Sequence, residues 1–362
     1  MKFNQRMSNM VKGIAIIFML MHHLFGCATM FCNEYKVIAE PFLWDNIYSF
    51  SMNAKVCVGM FVFITAFGIT RQYNKQLQEQ GGNGLDKKQV EKFSVHRYKK
   101  LAFNFGCIYI MAVLTAFLRN GGLSGVYNKD GIKKAIMYGI FDGLGVANYF
   151  GTPSLNETWW YMSIAIFMIF LIPIMIRIYK ENGILLVIIS GFLFYFGITR
   201  TSFIQYVFGI SIGIFCAEEN VLEKMYDFNI FKNKVIRFIS KVMMFGIILM
   251  FLFWIRGKTS YSYWIDPIFT VFAGALSMEI YGRCKTISIV LQYFGKHSMN
   301  IFLVHTLIFE YYFTDFIYGF RYWWLILAAL LLSSWLTSII VEILKKRIKL
   351  IIIFMDKRKN MK

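Results

Sequence analysis

The 362-residue sequence has no CxxC pair among its six cysteines, only four prolines, and 20 acids against 39 bases. It also lacks any period of 20–50 residues and any low-complexity tract. Each shortage removes a class of protein. Cysteines scattered at 27, 32, 57, 107, 216 and 284 exclude a zinc framework and a disulfide scaffold, although Cys27 and Cys32 are close enough in sequence to meet at the end of the first apolar stretch. The missing period excludes solenoid and propeller architectures. A formal charge of +19 would suit nucleic acid if the bases were clustered. They are instead spread over many short polar loops between apolar runs, which fits membrane topology and contact with anionic lipid rather than a nucleic-acid partner.

What the sequence has in abundance is apolar surface: 57% of residues are hydrophobic and 19% aromatic, with a mean hydropathy of +0.53. These values point to an integral membrane protein. Only a helix satisfies every backbone amide within its own segment in hydrocarbon, so the apolar runs predict an all-α, polytopic bundle. About ten spanning helices are expected, near 11–31, 50–70, 101–118, 157–177, 183–199, 201–218, 242–256, 264–282, 298–317 and 322–344. Ten crossings put both termini on one side. Placing 1–12, 71–100, 177–182, 219–241, 283–297 and 345–362 on that side collects most of the 39 bases, so both termini are expected in the cytoplasm. Residues 1–344 then form the transmembrane domain and 345–362 a basic cytoplasmic tail, which reads as a surface-lying amphipathic segment. Lys2 and Arg6 resemble the start of a cleaved signal, but bulky Phe25 and the two histidines argue for an uncleaved first helix.

Two polar interruptions stand out. Arg71 to Lys100 contains the flexible break Gly81-Gly82-Asn83-Gly84, followed by a basic amphipathic stretch from Leu85. Arg119 to Asn156 faces outward under this topology. Its "AIMYGIFDGLGVANYF" is too broken by glycine to span, so it is expected to lie in the interface or re-enter the bundle.

Of the five histidines, His22, His23 and His305 fall inside apolar runs, while His96 and His297 read as solvated inner-rim residues. A desolvated imidazole disfavours its charged form and tends to face a polar cavity or a partner. One such histidine could simply bond a neighbouring helix; two separate segments carrying them point to a site. Adjacent helical positions diverge by ~100°, so His22 and His23 cannot aim at one point in the same way. Lys12 lies eleven positions before His23, ~16 Å along a helix axis. A cation at the cytoplasmic rim with a base at depth suits a long anionic donor entering from inside.

With those residues in place, the sequence resembles acyltransferase family 3, the bacterial integral-membrane O-acyltransferases of surface polysaccharides. Lys12, ten residues and His23 match that family's R-x10-H opening. "MFVFITAFGI" matches a Phe-rich run ending in Ser-Gly, with Thr65-Ala66 in their place. Arg97-Tyr-Lys-Lys100-Leu101 matches a basic element entering the third helix. "TWWYMSIAIFMIFLIPI" is similar to a Trp-aromatic-Leu-Ser segment, and "FGKHSMNIFLVHTLI" to a Gly-Lys-x-Ser…Tyr-x-x-His element ending at His305. The departures are specific. Lys12 keeps charge but loses the guanidinium fork, Ala165 stands where many members have Glu, and Gly59 where others have Asp or Pro.

The resemblance implies transfer of an acyl group, acetyl above all, from cytoplasmic acyl-CoA to a sugar hydroxyl of a surface or exported polysaccharide or its lipid-linked precursor. It implies a multi-pass protein of the bacterial cytoplasmic membrane, with acetyl-CoA as substrate and no permanently bound cofactor or metal. His23 and His305 are the candidate catalytic residues; His23 as base or transient acyl carrier is preferred over His22, which stays open. Lys12, Arg97 and Lys100 are candidate donor-binding cations. Ser298 and Asn300 would assist His305, and Trp160 would stack on a sugar ring unless it and Trp159 belong to an interfacial aromatic belt. Glu310, five residues from His305, is off its face, and Lys55 is given no role. The competing class is a transporter or flippase for a lipid-linked sugar, relaying protons through buried His, Lys and Glu; the inverted repeats that would favour it are not visible.

Overall fold

A computed structural model describes residues 1–80, 86–118, 122–193, 203–229, 231–259 and 262–359. It is 85% helical, and no strand occurs among the described residues. Among the described residues, six helical stretches are long and apolar enough to cross a membrane: Gln5–Cys27, Trp44–Glu79, Lys87–Leu118, Glu157–Asn182, Lys234–Arg256 and Trp323–Ile351. They contain, wholly or nearly so, six of the expected spans. The other four fall on Ser262–Ile280, which carries Asp266 and Glu279, on the interrupted 298–317 segment, and on the shorter helices Ile184–Phe192 and Val207–Glu218. Residues 194–202, where two expected spans meet, and the glycine break at 81–84 lie outside the described residues.

Local chemistry sets several helix starts. Asn4 accepts from the Arg6 and Met7 amides, capping Gln5–Met21. Asn233 does the same for Val235 and Ile236 at the start of Lys234–Arg256. Each cap satisfies amides that have no partner within the helix and stabilises it by about 1 kcal/mol. Trp323–Lys359 is one helix of 37 residues that carries the last span through Leu344 into the basic segment.

The chain divides into two compact units. The first comprises Met1–Cys32, Ala39–Val95 and Phe167–Ser298. It is held together where helices meet at glycine. A Cβ on Gly13 would lie 2.3 Å from the Leu291 carbonyl oxygen, and one on Gly295 would lie 1.7 Å from that of Asn9, so Gln5–Met21 and Lys285–Lys296 touch backbone to backbone. Close approach at small residues is how helices associate where lipid offers no hydrophobic drive between them. Gly59 belongs to the same set. A Cβ there would sit 2.4 Å from Asp266 Cβ, so Asp266 fills the room left by the side chain this position lacks. Asp266 is fixed by Arg256, whose Nε lies 2.6 Å from Oδ1 and Nη2 3.3 Å from Oδ2.

The second unit comprises Asn33–Ile38, His96–Ile166 and Met299–Lys362. Its last helix is bound by a half-buried polar clamp. Asn300 Nδ2 donates to Ser338 Oγ at 3.0 Å and Glu342 Oε1 at 2.9 Å, Asn104 Nδ2 donates to Asn300 Oδ1 at 3.2 Å, and Lys345 donates to Asn104 and Glu342.

Candidate functional site

The first unit holds Lys12, His22, His23 and Ser298. After Met21 the first helix widens into a π-helical turn, His22–Cys27, closed by the Ala28 amide on the His23 carbonyl at 3.1 Å. Such turns admit an extra residue and often occur at functional sites. Here the turn separates the doublet. His22 is buried, with Nδ1 3.0 Å from the Ser51 carbonyl oxygen and Nε2 3.4 Å from Cys27 Sγ. A carbonyl only accepts, so Nδ1 carries the proton and Nε2 accepts from the thiol. Gly26 makes the reach possible, since a Cβ on it would come within 3.2 Å of His22 Nδ1. His23 is half-buried, its ring 5.3 Å from that of His22 and inclined by 61°. Lys12 is half-buried, and Ser298 is buried at the start of Ser298–Thr306. Cys27 and Cys32 do not meet: Cys27 turns to His22, while Cys32 Sγ donates to the Leu24 carbonyl, and both are free thiols.

The second unit holds Arg97, Lys100, Trp160, Asn300 and His305. Arg97 and Lys100 stand three residues apart on one face of Lys87–Thr115, the first half-buried and the second exposed. Asn300 is taken up by the clamp on the last helix. His305 is completely buried and precedes a second π-helical turn, Leu307–Tyr312. Its Nδ1 donates to the Phe302 carbonyl at 2.7 Å, which leaves Nε2 as acceptor for Thr306 Oγ1 at 3.1 Å. Thr306 Oγ1 lies 3.1 Å from Thr158 Oγ1, and the Thr158 amide donates to Asn156 Oδ1 at 3.0 Å; the single Thr158 hydroxyl proton goes either to Thr306, whose own proton is on His305, or to Asn156 Oδ1, 2.8 Å away. A continuous chain therefore runs His305–Thr306–Thr158–Asn156, and Asn156 Nδ2 is buried with no partner among the described residues. Trp159 is buried and donates to the Leu303 carbonyl at 3.0 Å, while Trp160 is half-buried on the wall of a cavity.

Sequence reasoning missed Thr306, Thr158 and Asn156. Their signal was present in "NETWW", a polar triplet directly before the aromatic pair, and in a threonine directly after the histidine. His96 is exposed, as expected; His297 is half-buried against the Tyr293 ring at 5.4 Å. Among the described residues no group of three His, Cys, Asp or Glu side chains is placed to hold a metal ion.

Comparison with known proteins returned no match among curated proteins and none among solved structures. The model of one protein family, described as an acyltransferase domain, matches residues 8–342. Matched over nearly its whole length by that model, the chain belongs to acyltransferase family 3 and is a membrane acyltransferase.

Proposed function

We propose that the protein is a multi-pass O-acyltransferase of the bacterial cytoplasmic membrane, with about ten spans and both termini in the cytoplasm. It moves an acetyl group from cytoplasmic acetyl-CoA to a sugar hydroxyl of a surface or exported polysaccharide or its lipid-linked precursor. The observation that carries this reading is the division within the histidine doublet. His22 has both ring nitrogens committed to protein partners, whereas His23, at the family's spacing from a rim cation, is the more accessible ring.

In this reaction His23 takes the proton of the acceptor hydroxyl as the oxygen attacks the thioester carbonyl. The tetrahedral intermediate collapses with loss of the C–S bond, and the imidazolium returns the proton to the departing coenzyme A thiolate. The products are a sugar ester and free thiol. A positioned base of this kind contributes ~10²–10⁴-fold in rate. Lys12 serves as a point charge for donor phosphate, and Arg97 and Lys100 add to the positive potential that draws the anionic donor. His305, with Ser298 and Asn300 near it in sequence, orients or polarises the reacting group.

The test is incubation of the purified protein in nanodiscs with radiolabelled acetyl-CoA and a set of envelope glycans. Alkali-labile label on a glycan, with stoichiometric release of thiol, is the expected result. Neither label transfer nor thioester turnover with any glycan would overturn the reading.

A further inference from the structure

The glycine-broken segment folds into the short helices Gly122–Tyr127, Ile132–Gly143 and Ala147–Phe150, which help to line a cavity of about 410 Å3. That volume lies within the roughly 300–1,000 Å3 typical of small-molecule sites. The floor is organised by Asp142, which is 1% exposed. Its Oδ1 accepts from Ser154 Oγ at 2.7 Å, and its Oδ2 from Tyr127 Oη at 2.6 Å and the Leu155 amide at 2.7 Å. Tyr109 Oη adds a bond to the Gly139 carbonyl at 2.8 Å, and Ser163 Oγ one to the Gly145 carbonyl at 3.0 Å. Gly145, at φ 76°, and Gly151, at φ 60°, take left-handed conformations that other residues rarely adopt. The wall is therefore formed before any ligand arrives.

The chemistry facing this space is selective. Trp160 and Tyr311 bring aromatic surface; Asn148, Ser154, Glu157 and Asp142 bring donors and acceptors. Aromatic faces suit the C–H surface of a pyranose ring, and short polar side chains suit its hydroxyls. No Lys, Arg or His occurs among the described residues that line the cavity. Burial pushes the Asp142 carboxyl above its ordinary range against the pull of its three hydrogen bonds, but neither protonation state supplies a positive group. A sugar carboxylate or phosphate would lose its hydration here with no counter-charge, and an uncharged sugar would not.

We propose that this cavity binds an uncharged hexopyranose unit of the acceptor glycan, held against Trp160 and Tyr311 with its hydroxyls on Asn148 and Glu157. The word acceptor rests on the acyl-transfer reading; the binding does not. Saturation-transfer NMR and intrinsic tryptophan fluorescence on the full-length protein in nanodiscs provide the test. The probes are the methyl glycosides of glucose, galactose, mannose and N-acetylglucosamine, with glucuronic acid and glucose 6-phosphate as charged counterparts. At least one neutral glycoside should bind in preference to both anions, and Trp160→Ala should weaken it about tenfold. Tyr311→Ala and Asn148→Ala should each weaken it too, at unchanged melting temperature, so the result does not hang on one variant that misfolds. Equal or tighter binding of the anions, binding insensitive to all three substitutions, or no binding across the panel would overturn the proposal. Neutral-sugar binding by a protein that transfers no acetyl group would leave the cavity assignment standing and remove the acetyl-transfer reading.

Discussion

Two π-helical turns lie beside the histidines of the apolar runs, and the rings there are held differently. His22 and His23 open the turn His22–Cys27, whereas His305 stands two residues before the turn Leu307–Tyr312. At the first, a doublet is split: one ring is tied to a backbone carbonyl and a thiol, and its neighbour stays half-buried. At the second, a single ring is sealed, with Nδ1 on Phe302 and Nε2 on Thr306, and is linked onward to Thr158 and Asn156. One wide turn thus leaves a ring half-buried, and the other lies beside a ring whose tautomer and direction are fixed.

The largest expected effect tests the first half of that contrast. His23→Ala should lower the transfer rate ~10²–10⁴-fold, because it removes the proposed base. A loss below tenfold, read as kcat on labelled acetyl-CoA, would move the chemistry away from this ring. The second half is tested by Thr306→Val, which keeps the shape but leaves His305 Nε2 short of its donor. An unmade buried hydrogen bond costs ~1–3 kcal/mol. If His305 acts by orientation, kcat should fall about tenfold with KM nearly unchanged, and Thr306→Ser should restore it. Equal losses in the valine and serine variants would reduce the chain from His305 to Asn156 to a packing feature.

His22→Ala separates the neighbours directly. It removes the bond to Ser51 and leaves that buried carbonyl unsatisfied, so thermal unfolding should show a destabilisation of about 1–3 kcal/mol. Turnover at a temperature where the variant is folded should stay within tenfold of the parent. A fall in kcat matching that of His23→Ala would erase the distinction between the two rings.

The contrast was half legible in the sequence. Composition and apolar run length show a helical membrane chain, and the Lys12–His23 spacing picks the ring that the structure leaves half-buried. That His22 would be locked could not be read, because its partners depend on a π turn that shifts the register and on Ser51, which lies 29 residues away. Asn300 was chosen for its nearness to His305. It is also the centre of a clamp with Asn104, Ser338 and Glu342, a pairing set by packing between helices distant in sequence. Asp142 could be seen as a lone acid in "FDGLG", yet the same glycines that argued against a span hid the cavity. Turns at Gly145 and Gly151 bring Ser154 and Leu155 back onto that carboxylate, and no periodic pattern records such a return.

The smallest expected effect concerns the rim of the first unit. Lys12 keeps the charge of the family's arginine but not its five-donor fork. Lys12→Arg should lower KM for acetyl-CoA by a few-fold with kcat unchanged, because a guanidinium gains a bidentate contact to phosphate that exists equally before and during the chemical step. Lys12→Gln should raise KM, and the difference from the parent should shrink as ionic strength rises and the Debye length falls from ~10 Å at 0.1 M salt toward ~3 Å at 1 M. A KM indifferent to both substitutions would detach the cation from the donor. The R-x10-H spacing would then be a feature of how Gln5–Met21 packs on Lys285–Lys296, where Gly13, the next residue after Lys12, already meets the Leu291 backbone.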